Sequence, residues 1–223
     1  MKQRIIDWAN INITLHNELD RKHEIINGFT HIMGLLFSII GLILLLWKRI
    51  QTGSDYPVSV LILYGLSMIS LYGSSSAYHL AENETLKKFL RIADHFSIYF
   101  LIAGTYTPYS YFAGGNTGRM LIILIWSIAL FGMIFKIIFW KRFRILHVSV
   151  YLAMGWLLVF YWKPFFNNMP SDLIPLIVAG GLSYTVGIIF YVFRKIPYNH
   201  AIWHLFVLSG SAFYWYGVWK FMI

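Results

Sequence analysis

The chain has 223 residues, of which 58% are hydrophobic and only 12% are charged, and its mean hydropathy is +0.63. So few charges cannot cover the surface of a soluble globule of this length, which indicates an integral membrane protein. The formal net charge of +9 lies in short groups of Lys and Arg between apolar runs. We therefore expect membrane lipids, and no nucleic acid, as partners. Cysteine is absent, which excludes disulfide bonds and thiolate metal sites.

Seven apolar runs follow a polar beginning. Residues 1–24 are interpreted as a cytoplasmic amino-terminal segment, either an interfacial helix or a disordered tail. Residues 25–223 are interpreted as one domain, because each run approaches the length of about 20 residues needed to cross the hydrocarbon core. The sequence thus predicts an all-α integral membrane bundle of seven transmembrane helices. The predicted spans are roughly 25–47, 57–79, 94–113, 119–140, 145–162, 171–193 and 199–222.

Three local patterns add detail to these spans. Between Glu82 and Ala93, apolar residues recur at helical spacing opposite Lys and Arg, which is typical of an interfacial helix. Pro108 is expected to end or kink the third span, and the freed carbonyls could line a cavity or simply pack locally. Most aromatic residues fall near span ends, where we expect interfacial belts; Tyr109 and Tyr214 are examples.

The basic residues are distributed unequally between the two sides of the predicted bundle. The amino-terminal segment and the linkers after the second, fourth and sixth spans hold 13 of the 18 Lys and Arg residues, and the opposite side holds five. The positive-inside rule then places the amino terminus in the cytoplasm and the carboxyl terminus outside. This orientation differs from that of G-protein-coupled receptors. The expected location is the cell membrane, in multi-pass form, with a bacterial plasma membrane favoured.

One candidate site is predicted at the cytoplasmic side. His200 and His204 lie four residues apart at the start of the last span, where two imidazoles on one helical face can ligate one metal ion. Taken alone, two unrelated histidines near a membrane boundary are the simpler interpretation. The topology, however, brings His79 and Asp94 to the same depth. Ser75 shares a helical face with His79, although its small-residue neighbourhood also suits helix packing.

The pattern Ser75-x-x-x-His79, then Asp94, then His200-x-x-x-His204 on the last of seven spans resembles the progestin and adipoQ receptor family. It most resembles the bacterial branch of that family, the hemolysin III family. The segment 24–31, EIINGFTH, is similar to the opening motif of the same family. Together these stretches cover nearly the whole chain, and the combination is far more specific than any one motif.

The resemblance implies a zinc site in which His79, His200 and His204 ligate the ion. Asp94 would contact a zinc-bound water, and Ser75 would stand beside that water. Three protein ligands leave a fourth tetrahedral position open, which is typical of catalytic zinc. Because residue 201 is alanine, this motif lacks the glutamate of HExxH metalloproteases, and any general base would have to be Asp94.

Four further ionisable residues are candidates for a role at the same site. Glu24 and His31 could support the ligands by hydrogen bonds or could serve helix packing alone. His95 follows Asp94 directly and therefore points about 100° away from it on a helix. His147 begins the fifth span at the same side. We interpret His95 and His147 as interfacial residues and not as ligands.

Three functions remain open from the sequence. The first is an intramembrane zinc-dependent hydrolase of a lipid amide or ester, which the wider group's ceramidase-like hydrolases support. The second is a pore-forming or cytolytic protein, as the family name implies, and the third is a membrane sensor with a structural zinc. Seven continuous apolar helices with few polar faces do not resemble a water-filled channel, because a pore needs polar lining from several spans.

Overall fold

A computed structural model describes residues 2–15, 20–167, 169–193 and 195–223, and within these residues the secondary structure is entirely helical. Two short 3₁₀ segments, Leu157–Tyr161 and Ser171–Leu173, precede α7 and α8. The α-helices are α1 (Lys2–Asn12), α2 (Arg21–Thr52), α3 (Val58–Leu80), α4 (Glu84–Ala113), α5 (Gly115–Ile138), α6 (Arg144–Gly155), α7 (Trp162–Phe166), α8 (Ile174–Val192) and α9 (Asn199–Phe221).

The long helices pack side by side in chain order. Helix α3 lies between α2 and α4, α5 packs against α4, and α9 packs against both α8 and α2. The last long helix therefore lies beside the first. Glycine allows the close approach of α2 and α3, because a Cβ at Gly34 would overlap the ring of Tyr72. This close packing brings the candidate site residues of α2, α3, α4 and α9 to one end of the bundle.

The outer surface is apolar, as expected for a protein surrounded by lipid. On α2, Phe29, Met33 and Ile43 are exposed, whereas the opposite stripe buries small and polar residues. Five helical segments are long and apolar enough to cross a membrane. These segments are Arg21–Thr52, Val58–Leu80, Gly115–Ile138, Leu146–Phe166 and Ser171–Val192.

The region from Glu82 to Ala93 does not form the separate interfacial helix predicted from its pattern. Helix α4 begins at Glu84, after the Asn83 side chain caps it by accepting from Leu86 N at 2.9 Å, and continues to Ala113. There is no Gly or Pro between residues 84 and 103, so no helix-breaking residue ends the helix in this stretch. The prediction that Pro108 could end the span is also wrong, because the helix ends at Gly114, whose φ is +67°.

The fifth predicted span is interrupted. Helix α6 ends at Gly155 and is followed by the 3₁₀ segment and α7, so the expected continuous helix over 145–162 is not formed. Tyr106 of α4 supplies hydrogen-bond partners to backbone groups at this break. Its hydroxyl donates to the carbonyls of Met154 and Gly155 at 2.8 and 3.1 Å and accepts from Leu158 N at 3.3 Å. Buried backbone groups that leave a helix need such partners.

The amino-terminal segment is helical over Lys2–Asn12, which matches the helical alternative of the two predicted. Ala9 and Ile13 are buried with Trp140, against Phe89 of α4. His16 lies outside the described residues. Helix α2 begins at Arg21, so its first turn precedes residue 25, at which the domain boundary is predicted.

Candidate metal centre

Three imidazoles from two helices converge at one end of the bundle. His79 lies in the last turn of α3, and His200 and His204 lie in the first two turns of α9. One potential ligand atom from each ring lies within 4.8 Å of those of the other two. We call these three residues the histidine cluster. His79 and His204 are 1% and 2% exposed, and His200 is partly buried.

Local structure explains why these side chains meet. His200 and His204 are four residues apart on α9, so their rings lie on one face with centroids 4.5 Å apart. The start of α9 is tied to the end of α8, because Asn199 Nδ2 donates to the carbonyl of Phe190 at 2.8 Å. The ring of His79 then lies 5.1 and 5.3 Å from the rings of His200 and His204.

Helix α2 orients two of the three rings. Glu24 Oε2 lies 3.2 Å from His79 Nδ1, and because a carboxylate only accepts, Nδ1 carries the proton in that bond. The Thr30 hydroxyl donates to the Asn27 carbonyl at 2.8 Å, and His204 Nδ1 lies 2.9 Å from that hydroxyl and 3.1 Å from that carbonyl. His204 Nδ1 is therefore also a donor. In a neutral ring, Nε2 is then the unprotonated nitrogen.

The donor set fits a metal ion. His79 Nε2 is buried and has no hydrogen-bond partner among the described residues, although a lone pair in that position would ordinarily be satisfied. Two of the three imidazoles have their other nitrogen held by a carboxylate or a carbonyl, which is typical of a metal site in which the ligands are oriented by their neighbours. The histidine cluster could therefore hold a metal ion.

Glu24 has a second partner beyond His79. Lys87 Nζ lies 2.8 Å from the same carboxylate oxygen, and the side chains of Glu24 and Lys87 are 6% and 17% exposed. Lys87 belongs to the first turns of α4, which were predicted as an interfacial helix. The ion pair instead joins α4 to α2 beneath the histidine cluster.

Asp94 and Ser75 lie together beside this cluster. Both residues line the same cavity as His200 and His204. Asp94 does not belong to the group of described residues whose ligand atoms converge within 4.8 Å. The role of Ser75 beside a metal-bound water stays a prediction.

His95 and His147 lie outside the histidine cluster, although His95 lines the same cavity as Asp94. The ring of His95 packs edge-on against Trp140, with centroids 5.0 Å apart, and His147 is buried near Phe135 at 5.4 Å. Neither residue is in the converging group of described residues.

An internal cavity extends from the histidine cluster and is walled mainly by aromatic and aliphatic side chains. Tyr109 and Tyr214 line it and are buried, with Tyr109 Oη donating to the Tyr214 carbonyl at 2.7 Å. Their assignment to an interfacial belt is therefore wrong. Trp203 and Tyr184 also line the cavity and were not singled out by the sequence. Its aromatic walls come from helices far apart in the chain, so no single motif could reveal them.

An apolar helical bundle with three converging histidines beside a cavity indicates a multi-pass membrane protein whose histidines could hold a metal ion. A family model described as "Haemolysin-III related" matches residues 19–215, and this chain belongs to that family. The resemblance drawn from the sequence is thereby confirmed.

Named relatives agree with the family assignment. The chain is 44% identical over 194 residues to the Hemolysin-3 homolog of Bacillus subtilis (strain 168), covering 86% of this chain and 90% of the relative. It is 43% identical over 192 residues to Hemolysin-3 of Bacillus cereus, covering 86% and 88%. It is 28% identical over 203 residues to the monocyte to macrophage differentiation factor of Homo sapiens, covering 88% and 83%.

Proposed function

We propose that this chain is a membrane-embedded zinc-dependent hydrolase that cleaves a lipid amide or ester. The observation that carries the proposal is that three histidines converge and that two of them, His200 and His204, line an apolar cavity together with Asp94. A metal centre, a carboxylate beside it and an apolar binding space are the three parts that hydrolysis of a lipid needs.

The proposed topology has seven spans, with a cytoplasmic segment 1–24 and a membrane domain 25–223. Helices α4 and α9 lie against the five apolar segments and complete the bundle. Their polar side chains, including Asp94, His200 and His204, face inward, which lowers their mean hydropathy without exposing charge to lipid. The unequal distribution of basic residues supports a cytoplasmic amino terminus and an external carboxyl terminus.

Zinc is the proposed metal because all three candidate ligands are imidazole nitrogens, which suit Zn²⁺ and not Mg²⁺ or Ca²⁺. His79, His200 and His204 would hold it, and three protein ligands are typical of catalytic sites. Bound Zn²⁺ supplies a Lewis acid that polarises a carbonyl and lowers the pKa of water.

Asp94 is the proposed general base. It would accept a proton from the attacking water and deliver it to the amine or alcohol that leaves when the C–N or C–O bond breaks. Ser75, which lines the cavity together with Asp94, would hold the carboxylate in position by a hydrogen bond. The cavity walls exclude bulk water, and the buried rings of Tyr109 and Tyr214 are suited to contact an acyl chain.

A cytolytic function is the second candidate, and the name of the Bacillus cereus relative, Hemolysin-3, favours it. Hemolysis requires leakage through a membrane, whereas hydrolysis requires a base beside the metal. The two functions therefore predict different consequences of losing the Asp94 carboxylate.

Asp94→Asn is the test. The amide keeps the size of the side chain but cannot accept the proton, so zinc content should stay near one ion per chain while cleavage of a lipid panel falls by at least about 100-fold. Asp172→Asn is the matched control, because Asp172 is exposed in the turn before α8. If no lipid amide or ester is cleaved in a zinc-dependent way, while dye leaks from liposomes with either variant, the chain is cytolytic and the proposal is wrong.

A further inference from the structure

Helix α2 presents three polar residues to the interior on one face. Glu24, Asn27 and His31 follow one another at spacings of three and four residues, and they are 5%, 2% and 3% exposed. Glu24 holds His79, and the Asn27 carbonyl holds His204. Two of the three positions therefore have a role in orienting the histidine cluster, and His31 is the third.

The ring of His31 packs against two other rings and makes no hydrogen bond to any described residue. Its ring stacks on that of His204 with centroids 3.5 Å apart and an angle of 16°, and it meets Tyr72 edge-on at 5.1 Å. Within the described part of the chain, neither ring nitrogen has a hydrogen-bond partner. A buried polar group in this condition is rare and points to a ligand or a water that occupies the position.

The ring of His31 lines the same cavity as Asp94, Ser75, His200 and His204. His31 does not join the described residues whose ligand atoms converge. His31 therefore lies where it can contact a molecule that enters the cavity, and it lies outside the set of candidate metal ligands.

We infer that His31 binds the carbonyl group of the lipid substrate by donating a ring N–H to its oxygen. This inference rests on the proposed function for the identity of the ligand. A neutral imidazole always carries one N–H donor. The strongest hydrogen-bond acceptor of a lipid amide or ester is its carbonyl oxygen. The apolar walls of the cavity would contact the acyl chain of the lipid. Stacking on His204 fixes the donor at a set distance from the histidine cluster, so the carbonyl would be presented to the reacting groups.

The experiment measures binding, so it does not depend on turnover. Zinc-loaded protein carrying Asp94→Asn is reconstituted in lipid nanodiscs, with His31 intact, as His31→Phe or as His31→Gln. Its affinity is measured for a long-chain alkyl ester and for the matching ether, which has CH₂ in place of the carbonyl. Phe keeps a ring against His204 but has no donor, whereas Gln keeps a donor.

With His31 intact, we expect the ester to bind about tenfold more tightly than the ether because of this hydrogen bond, equivalent to about 1.4 kcal/mol. His31→Phe should reduce that preference by weakening ester binding alone, and His31→Gln should restore part of it. Zinc content should be unchanged in both variants.

Two results would overturn the inference. If the ester-to-ether preference is the same with and without His31, the ring only packs or holds an ordered water. If His31→Phe and His31→Gln both lose zinc, the ring supports His204 and not the substrate. If neither variant folds, the hydrogen bond is tested by isotope-edited infrared spectra of a carbonyl-labelled ester bound to zinc-free Asp94→Asn protein. An unshifted carbonyl band would refute the assignment.

Failure of this inference differs from failure of the proposed function. A protein that cleaves lipids with zinc but shows no His31-dependent preference for the carbonyl remains a hydrolase without this contact. A protein that prefers the ester through His31 but never cleaves any lipid binds carbonyl lipids without hydrolysing them.

Discussion

Glu24→Gln tests whether the α2 carboxylate controls the metal affinity of the histidine cluster. The carboxylate accepts from His79 Nδ1 at 3.2 Å and from Lys87 at 2.8 Å. The substitution keeps the shape of the side chain but removes its charge, so Nδ1 loses a charged acceptor and Nε2 becomes a weaker donor to a metal. Changes to such supporting residues typically lower metal affinity by about 10- to 100-fold, or about 1.4 to 2.7 kcal/mol.

The same substitution also leaves Lys87 without its charged partner. Since Lys87 is 17% exposed, we expect a stability loss between the ~1 kcal/mol of surface pairs and the ~3 kcal/mol of buried ones. Lys87→Met separates the two effects. Alone it should change zinc affinity by less than about threefold, because Glu24 still accepts from His79. In the double variant, the melting temperature of the zinc-free protein should recover while zinc affinity stays low.

The assay is competition with a chromogenic zinc chelator in detergent, with the melting temperature measured separately on zinc-free protein. The reasoning is refuted if Glu24→Gln binds zinc as tightly as the unaltered chain. It is also refuted if the double variant regains zinc affinity together with stability, since the carboxylate would then act on the fold and not on His79.

Three more predictions concern the cluster, the topology and the break in the fifth span. Replacing any one residue of the histidine cluster by Ala should reduce the zinc content, measured by elemental analysis, from one ion per chain to near zero. His95→Ala should leave it unchanged, and an equal loss of zinc in that variant would mean that the ligands are misassigned. Reporter fusions should place Lys87 and Arg142 in the cytoplasm and Ile223 outside, and a cytoplasmic carboxyl terminus would contradict seven spans. Tyr106→Phe should lower stability by about 1 to 3 kcal/mol in thermal unfolding, because it leaves buried backbone groups without a partner; an unchanged melting temperature would show that water replaces the hydroxyl.

The positions of the long helices were predictable because a membrane requires long apolar runs, and these are visible residue by residue. The spacing of His200 and His204 was equally predictive, because four residues on a helix return to one face. The convergence of His79 with them followed from topology. The histidine cluster was therefore predictable from the local spacing of the residues and from the depth of each residue in the bundle.

Other features depend on contacts between distant residues and left no local signal. The break after Gly155 is compensated by Tyr106, which lies 49 positions earlier in the chain. The charge of Lys87, near the start of α4, suggested an interface but is paired with Glu24 of α2. Tyr109 was assigned to a belt because it is near a span end, yet its hydroxyl bonds a carbonyl of α9. In each case a polar group is satisfied by a partner that only the assembled bundle provides.

In the proposed hydrolase, the arrangement of α2 separates metal binding from the chemistry in the cavity. Glu24 and the Asn27 carbonyl act on Nδ1 of two rings, on the side away from the converging nitrogens, so they can determine how tightly a metal is held without contacting a substrate. Asp94 and Ser75 come from α4 and α3 and reach the cavity without joining the converging nitrogens. A substitution on the first set should therefore alter zinc affinity, and one on the second should alter turnover with zinc retained. If the zinc were purely structural, the Asp94 carboxylate would have no such separate role, and its cost at the wall of an apolar cavity would be hard to explain.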